Sequence, residues 1–164
     1  MKAILLRRTG APSVLEYTEV PTPTPGAGEV LVRAETIGVS MPETLVRKGT
    51  YAWMPPLPAI PGIEMSGTIA ACGSAVTDRA IGEPVFVSAR DLPVRAGCYA
   101  ECIAVPSRAA HAVPHGCGLE AAGCLRTTRS PTTCCTQPRA VSRPAPCWFM
   151  PQPVGSAAPP CSSR

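Results

Sequence analysis

Aromatic residues are scarce in this chain, with only two Phe, two Trp and three Tyr among 164 residues. This argues against single-stranded nucleic-acid binding, because bases stack on aromatic side chains interleaved with basic ones. No apolar run approaches the ~18 residues of a membrane span, and no secretory signal opens the chain. Nine cysteines without a regular spacing argue against a secreted disulfide framework. We therefore expect a cytoplasmic protein without a nucleic-acid or membrane partner.

Acidic residues are absent from the last part of the chain. Residues 1–123 hold ten Lys and Arg and all eleven Asp and Glu, whereas residues 124–164 hold five Arg and no Lys, so the net charge of +4 comes from the tail. That tail also has eight of the 21 Pro and five of the nine Cys, without a helix or strand period. We therefore expect a folding domain over residues 1–122 and an irregular or disordered tail over residues 123–164.

Two explanations of the tail stay open. Enrichment in Pro, Ser, Thr and Arg is typical of a natural disordered segment. The second explanation is a reading-frame slip, which can be tested by taking each new codon from the third base of one codon and the first two bases of the next. The shifted frame permits LVHAAAGGVGSAAVQL from Cys147 onward, with Leu, one Val and one Ala forced by the code. We favour the slip.

The shifted string has a meaning that the unshifted one lacks. It reads as a buried strand, a glycine-rich turn and the start of a helix, the layout of a dinucleotide-binding unit. Glycines there let the backbone approach a pyrophosphate, and the helix N-terminus offers N–H groups to it. The tail is then an out-of-frame remnant of a Rossmann cofactor domain.

The first 122 residues show a mostly β pattern. Residues 29–37 alternate, with Val30, Val32 and Ala34 on one face, and only residues 41–48 look helical. Thirteen Pro in this part favour strand edges and loops over long helices. Further strands are predicted at 1–6, 14–20, 65–71 and 84–88.

Ordered motifs in this part carry a family resemblance. They are MKA at 1–3, EVLVR at 29–33, GVS at 38–40, RKGTY at 47–51, PPLP at 55–58, PGIE at 61–64 and YAE at 99–101. In their order and spacing, residues 1 to about 122 resemble the N-terminal GroES-like catalytic domain of the zinc-independent, zeta-crystallin-like quinone oxidoreductases. These belong to the medium-chain dehydrogenase/reductase superfamily. The resemblance implies a partly open β-barrel with short helices.

The resemblance also has implications for metal and cofactor. Zinc-containing relatives carry a Cys after the Gly-Val motif and a His before the Glu of the PGIE motif, and here these positions hold Ser40 and Ile63. We therefore expect no zinc. The zinc-free relatives are thought to reduce a quinone or enone by hydride transfer from NADPH, held between two domains. Because this chain lacks an in-frame cofactor domain, we expect it not to bind NADPH tightly and to be inactive.

Three residues are candidates for the cleft by motif. Ser40 stands where the relatives often have Asn, Tyr51 is placed to donate a hydrogen bond to a substrate oxygen, and Glu64 is placed to organise nearby polar groups. Each also has a structural interpretation: Ser40 as a strand end, Tyr51 as a packed ring and Glu64 as an acceptor for backbone N–H groups.

Two further expectations concern interactions and cysteines. A GroES-like barrel without its partner domain exposes apolar surface, so a non-catalytic, oligomerising interaction protein is the alternative function. Cys98 and Cys102 are expected in one strand as buried small hydrophobic residues rather than metal ligands.

Overall fold

The structure of the chain, a computed structural model, describes residues 1–114 and 116–122. Our expectations for residues 123–164, including both explanations of the tail, lie outside the described residues.

Strands dominate the domain. The elements are strands β1 (Lys2–Leu6), β2 (Leu15–Glu19), β3 (Glu29–Ile37), β4 (Glu64–Cys72), β5 (Pro84–Ser88), β6 (Cys102–Pro106) and β7 (Ala110–Ala112), with helices α1 (Met41–Lys48) and α2 (Leu119–Ala122).

The sheet is antiparallel and curled. Five strands pair in the order β6-β3-β4-β5-β7, and β1 and β2 form a separate two-stranded sheet. The pairing of β3 with β4 shifts register twice, between Leu31 and Val32 and between Ala34 and Thr36. Such irregularities bend a strand and increase its twist. The expected mostly β, GroES-like, partly open barrel with short helices is thereby confirmed for the described part of the chain.

A short segment at residues 99–101 attaches the first strand to the large sheet. The Ile4 N–H donates to the Tyr99 carbonyl at 2.8 Å, and the Glu101 N–H donates to the Lys2 carbonyl at 3.0 Å. On its other side, the Glu101 carbonyl accepts the Ala34 N–H at 2.9 Å. The segment therefore lies between β1 and β3 and joins the two sheets.

The core lies inside the curl. The alternation of β3 is confirmed, since Val30 and Val32 are fully buried while Arg33 and Glu35 are exposed. Burying such apolar side chains supplies most of the driving force for folding. One cluster holds most of the largest fully buried side chains, which are Ile63, Met65, Ile69, Val30, Val32, Val85, Val87, Val105 and Cys98.

Most element boundaries agree with the sequence pattern to within one residue. Strands β3 and β5 and helix α1 have the predicted bounds, whereas β2 starts at Leu15 because Pro12–Val14 form a 3-10 turn. The pattern did not predict β7. The placement of Cys98 in a strand was wrong, since Cys98 lies in the loop before β6. Cys98 is buried as expected, but Cys102 is only half-buried.

Candidate functional site

Ser40 begins helix α1 and is tied to its first turn. Its backbone is extended, with φ −136° and ψ 175°, as is typical of an N-cap residue. The Glu43 Oε2 atom accepts the Ser40 backbone N–H at 3.0 Å and the Ser40 hydroxyl at 2.8 Å. The backbone contact is the reciprocal half of a capping box, in which the third helical residue returns to the N-cap. The helix ends at Gly49, whose φ of 79° suits glycine.

Glu43 joins this helix start to the strand that carries Glu64. The Glu43 side chain is only 6% exposed, and its Oε1 atom accepts the Ile63 backbone N–H at 3.2 Å. Glu64 follows, 4% exposed, and its carbonyl accepts the Gly38 N–H at 3.0 Å. Two of the candidate residues, Ser40 and Glu64, are therefore brought into one neighbourhood through a residue that we did not predict.

Tyr51 belongs to a second cluster. It is half-buried, and its ring meets the Trp53 ring edge-on, with centroids 5.6 Å apart. The Arg95 guanidinium lies 4.5 Å from the centroid of the same Trp53 ring, within the range of a cation–π contact. The packing interpretation of Tyr51 thus describes its ring.

Behind Glu43 and Glu64 lies a buried thiol. The pKa of the Cys98 thiol is raised from its ordinary 9.0 to about 12, mainly by burial; a hydrogen bond from the Ala89 backbone opposes this, and the carboxylates of Glu43 and Glu64 add smaller increases. A thiolate is the reactive form of cysteine, so a thiol with this pKa is inert at neutral pH. Cys98 therefore packs as a small apolar residue.

Tyr99 packs against the segment that precedes Glu64. Burial raises its pKa, and the negative charge of Glu43 and then Cys98 add to the effect. Its ring and backbone lie against Gly62, which has a φ of +92°. Among the described residues, the buried Tyr99 hydroxyl has no hydrogen-bond partner. This places a third titratable side chain beside the Glu43 carboxylate.

An apolar groove of about 420 Å³ runs beside the end of β3. Its walls include Ile4, Tyr17, Ile37, Val39 and Tyr99. Tyr17 and Val39, which both line the groove, are 71% and 80% exposed. The groove is therefore a candidate surface for an apolar ligand or partner.

The side chains at the two positions that bind zinc in the zinc-containing relatives are not zinc ligands here. Ser40 and the buried Ile63 offer neither a thiolate nor an imidazole to zinc. Within residues 1–114 and 116–122, no group of three or more His, Cys, Asp or Glu side chains is close enough to hold a metal ion. In the same part of the chain, no helix has both the length and the apolar character needed to cross a bilayer.

Glu43 is a site residue that we did not predict, although a signature in the sequence points to it. Ser40 and Glu43 form the S-x-x-E signature of a capping box, and this signature alone predicts a contact between the two. The contact from Glu43 to Ile63 spans 20 positions, so local pattern has no bearing on it.

Comparisons with known proteins agree with this architecture. The alcohol dehydrogenase GroES-like domain family matches residues 26–115, more than half of the chain. The quinone oxidoreductase of Lama guanicoe is 36% identical over 89 residues, which are 54% of this chain and 27% of that protein. The synaptic vesicle membrane protein VAT-1 homolog of Rattus norvegicus is 35% identical over 103 residues, 63% of this chain and 24% of that protein.

Solved structures agree as well. The Escherichia coli quinone oxidoreductase complexed with NADPH superposes with a TM-score of 0.65 at 27% identity, covering 74% of this chain and 36% of that one. A Pseudomonas syringae quinone oxidoreductase superposes with a TM-score of 0.67 at 30% identity, covering 76% and 37%. The chain spans about a quarter of the length of the curated relatives it matches. It belongs to the alcohol dehydrogenase GroES-like domain family.

Proposed function

We propose that residues 1–122 are the substrate-side domain of a metal-free reductase that transfers a hydride from NADPH to a quinone or enone. The observation that carries the proposal is the arrangement around Glu43. Where zinc relatives place a Cys and a His, this chain places a hydroxyl bonded to a buried carboxylate and an apolar side chain. Such a site can orient polar groups of a ligand but cannot polarise them with a metal.

The start of helix α1 fits the nicotinamide ring of NADPH but not its pyrophosphate. When bound, NADPH supplies the hydride from its nicotinamide ring. The Ser40 hydroxyl offers a polar contact to that ring. A pyrophosphate would seek a helix N-terminus, but at the start of α1 the Glu43 carboxylate already takes that place and repels a second anion. The phosphates are therefore not bound at the start of α1.

Each candidate residue has a role in this proposal. Tyr51 donates a hydrogen bond from its hydroxyl to the substrate oxygen, where negative charge develops as the hydride arrives. Glu64, deeply buried at the start of β4, keeps the polar groups around Ser40 in place.

The 164-residue chain itself is inactive in this proposal. Its support is the composition of residues 124–164 and the glycine-rich string in the shifted frame. We place the protein in the cytoplasm, again from sequence alone.

One experiment tests separately whether the complete protein is a reductase and whether the 164-residue chain is inactive. The gene is sequenced across the codons for residues 121–125 and past the stop, and two products are purified: the chain as written and the product of a gene with one base inserted before the codon for Cys124. We expect NADPH-dependent reduction of a quinone by the frame-restored product only. Turnover at enzymatic rates by the chain as written would show that the inactivity is wrong. A folded frame-restored product without any turnover would contradict the reductase.

The apolar groove favours a second candidate, a non-catalytic domain that associates with copies of itself. Val39, 80% exposed, stands on the groove, whereas Ile81, 72% exposed, is not among the residues that line it. If the groove mediates association, Val39→Asp should shift the protein to a later elution volume in size-exclusion chromatography, and Ile81→Asp should not. A wild-type chain that elutes as a monomer at all concentrations counts against this candidate.

A further inference from the structure

The proton of the Ser40 hydroxyl already has an acceptor. Ser40 Oγ lies 2.8 Å from Glu43 Oε2, and this carboxylate oxygen of Glu43 also accepts the Ser40 backbone N–H. The other carboxylate oxygen accepts the Ile63 N–H. An ionised carboxylate has no proton to give, so the hydroxyl must be the donor in the bond between them. In the capping box, Ser40 Oγ also accepts the Glu43 backbone N–H, so it keeps one lone pair and has no proton left for a ligand.

This arrangement is fixed rather than transient. The Glu43 side chain is almost fully buried, and two backbone N–H groups from different elements hold its two oxygens in place. Hydrogen bonds to a charged group are shorter and about twice as strong as neutral ones. Turning the hydroxyl away would remove one of only three donors from a buried carboxylate, which is unfavourable. Ser40 itself is half-buried.

We infer that Glu43 is a positioning residue that makes Ser40 a hydrogen-bond acceptor, so that Ser40 recognises the carboxamide N–H of a nicotinamide ring and not the oxygen of a quinone or enone. The inference rests on the proposed function, because it needs Ser40 to face the ligand. Ser40 then accepts a hydrogen bond from the nicotinamide carboxamide, and Tyr51 donates one to the substrate oxygen.

The direction of the Ser40 bond can be measured without a ligand. In an equal mixture of H₂O and D₂O, a serine whose hydroxyl exchanges slowly gives two resolved ¹³Cβ NMR signals, one for each isotope. We expect two signals for Ser40 in the 164-residue chain and one averaged signal for the exposed Ser13. The Ser40 pair should merge in Glu43→Gln. A single averaged Ser40 signal in the unmodified chain overturns the inference, whether or not the variant folds.

Recognition of a donor is tested with a matched pair of probes. Nicotinamide carries a carboxamide N–H₂ group, and N,N-dimethylnicotinamide has no N–H. Binding is followed by the amide NMR signals of Val39, Ser40 and Met41. We expect nicotinamide to bind about 3- to 10-fold more tightly, as one hydrogen bond predicts. The preference should disappear in Ser40→Ala.

The outcomes distinguish the inference from the proposed function. Equal affinity for the two probes overturns the inference and leaves the reductase proposal standing. If neither probe moves the Ser40 signal, Ser40 does not face a ligand, and the placement of this residue in the proposed cleft fails together with donor recognition. A preference that persists in Ser40→Ala assigns the carboxamide contact to another residue and also overturns the inference.

Discussion

Replacing Gly62 by alanine should destabilise the domain more than the same replacement of Gly28 or Gly82. Gly62 combines a left-handed φ of +92° with close contact, since an added Cβ would lie 2.7 Å from the Tyr99 backbone nitrogen and still closer to its ring. The φ costs about 1–2 kcal/mol for a residue with a Cβ. Overpacking of this kind costs a further ~1–3 kcal/mol. We therefore expect Gly62→Ala to lower the free energy of unfolding by about 2–5 kcal/mol.

The effect should extend to the candidate site. The Gly62 carbonyl accepts the Cys98 N–H at 3.2 Å, and the next residue, Ile63, donates its N–H to Glu43. Any shift that relieves the clash with Tyr99 therefore moves the partner of the Glu43 carboxylate. The amide signals of Ser40 and Ile63 in an NMR spectrum should shift in the variant even where it remains folded.

Two other glycines separate the effect of a left-handed φ from the effect of a close contact. Gly82 has a φ of +85° but nothing within 4 Å of an added Cβ, and Gly28 has neither a left-handed φ nor a neighbour. The assay is urea unfolding followed by circular dichroism, in which 1–3 kcal/mol corresponds to a midpoint change of about 1 M. We expect Gly28→Ala to cost least, Gly82→Ala to cost about 1–2 kcal/mol and Gly62→Ala to cost most. Equal losses for Gly62→Ala and Gly82→Ala would refute the argument from packing.

Two further predictions concern the buried titratable groups. Glu43→Gln should lower the free energy of unfolding by about 1–3 kcal/mol, because an amide cannot accept all three hydrogen bonds, whereas Glu35→Gln on the exposed face of β3 should change it by less than about 0.5 kcal/mol. Stability should also fall as the pH rises from 9.0 towards about 12, because the Cys98 thiol loses its proton near 9.0 in the unfolded chain and only near 12 in the folded one. Thermal unfolding across this pH range measures the decline. Cys98→Ala should remove part of it and leave the part due to Tyr99, whose pKa is also raised; an unchanged decline would contradict the assignment to Cys98.

The fold was predictable where the chain carries its own local signal. Strand β3 alternates in the sequence as it does in the structure, and α1 has a cap at each end. Strand β7 was not predictable, because its three residues Ala110–Ala112 are too few to show a period and form a strand only through pairing with Val85–Val87 of β5. Its extended form is therefore a product of tertiary structure rather than local propensity.

The candidate site was predictable in part. Family motifs pointed to Ser40 and Glu64, and the S-x-x-E spacing would have pointed to Glu43. The bond from the Ile63 N–H to the Glu43 carboxylate joins residues 20 positions apart, and it exists because β4 and the start of α1 meet in the folded chain. A contact between residues so far apart in sequence cannot be predicted from local sequence patterns. The proximity of Ser40, Glu43 and Glu64 is therefore known only from the structure.

The attachment of strand β1 has a consequence for biosynthesis. Lys2 pairs with Glu101 and Ile4 pairs with Tyr99, so strand β1 is synthesised almost a hundred residues before these partners. At about 5–20 residues per second, this delay lasts roughly 5–20 s. During that interval the β1 and β2 hairpin has no sheet to join, and an isolated hairpin is only marginally stable in water. The N-terminal strand is therefore among the last parts of this domain to reach its native place during translation.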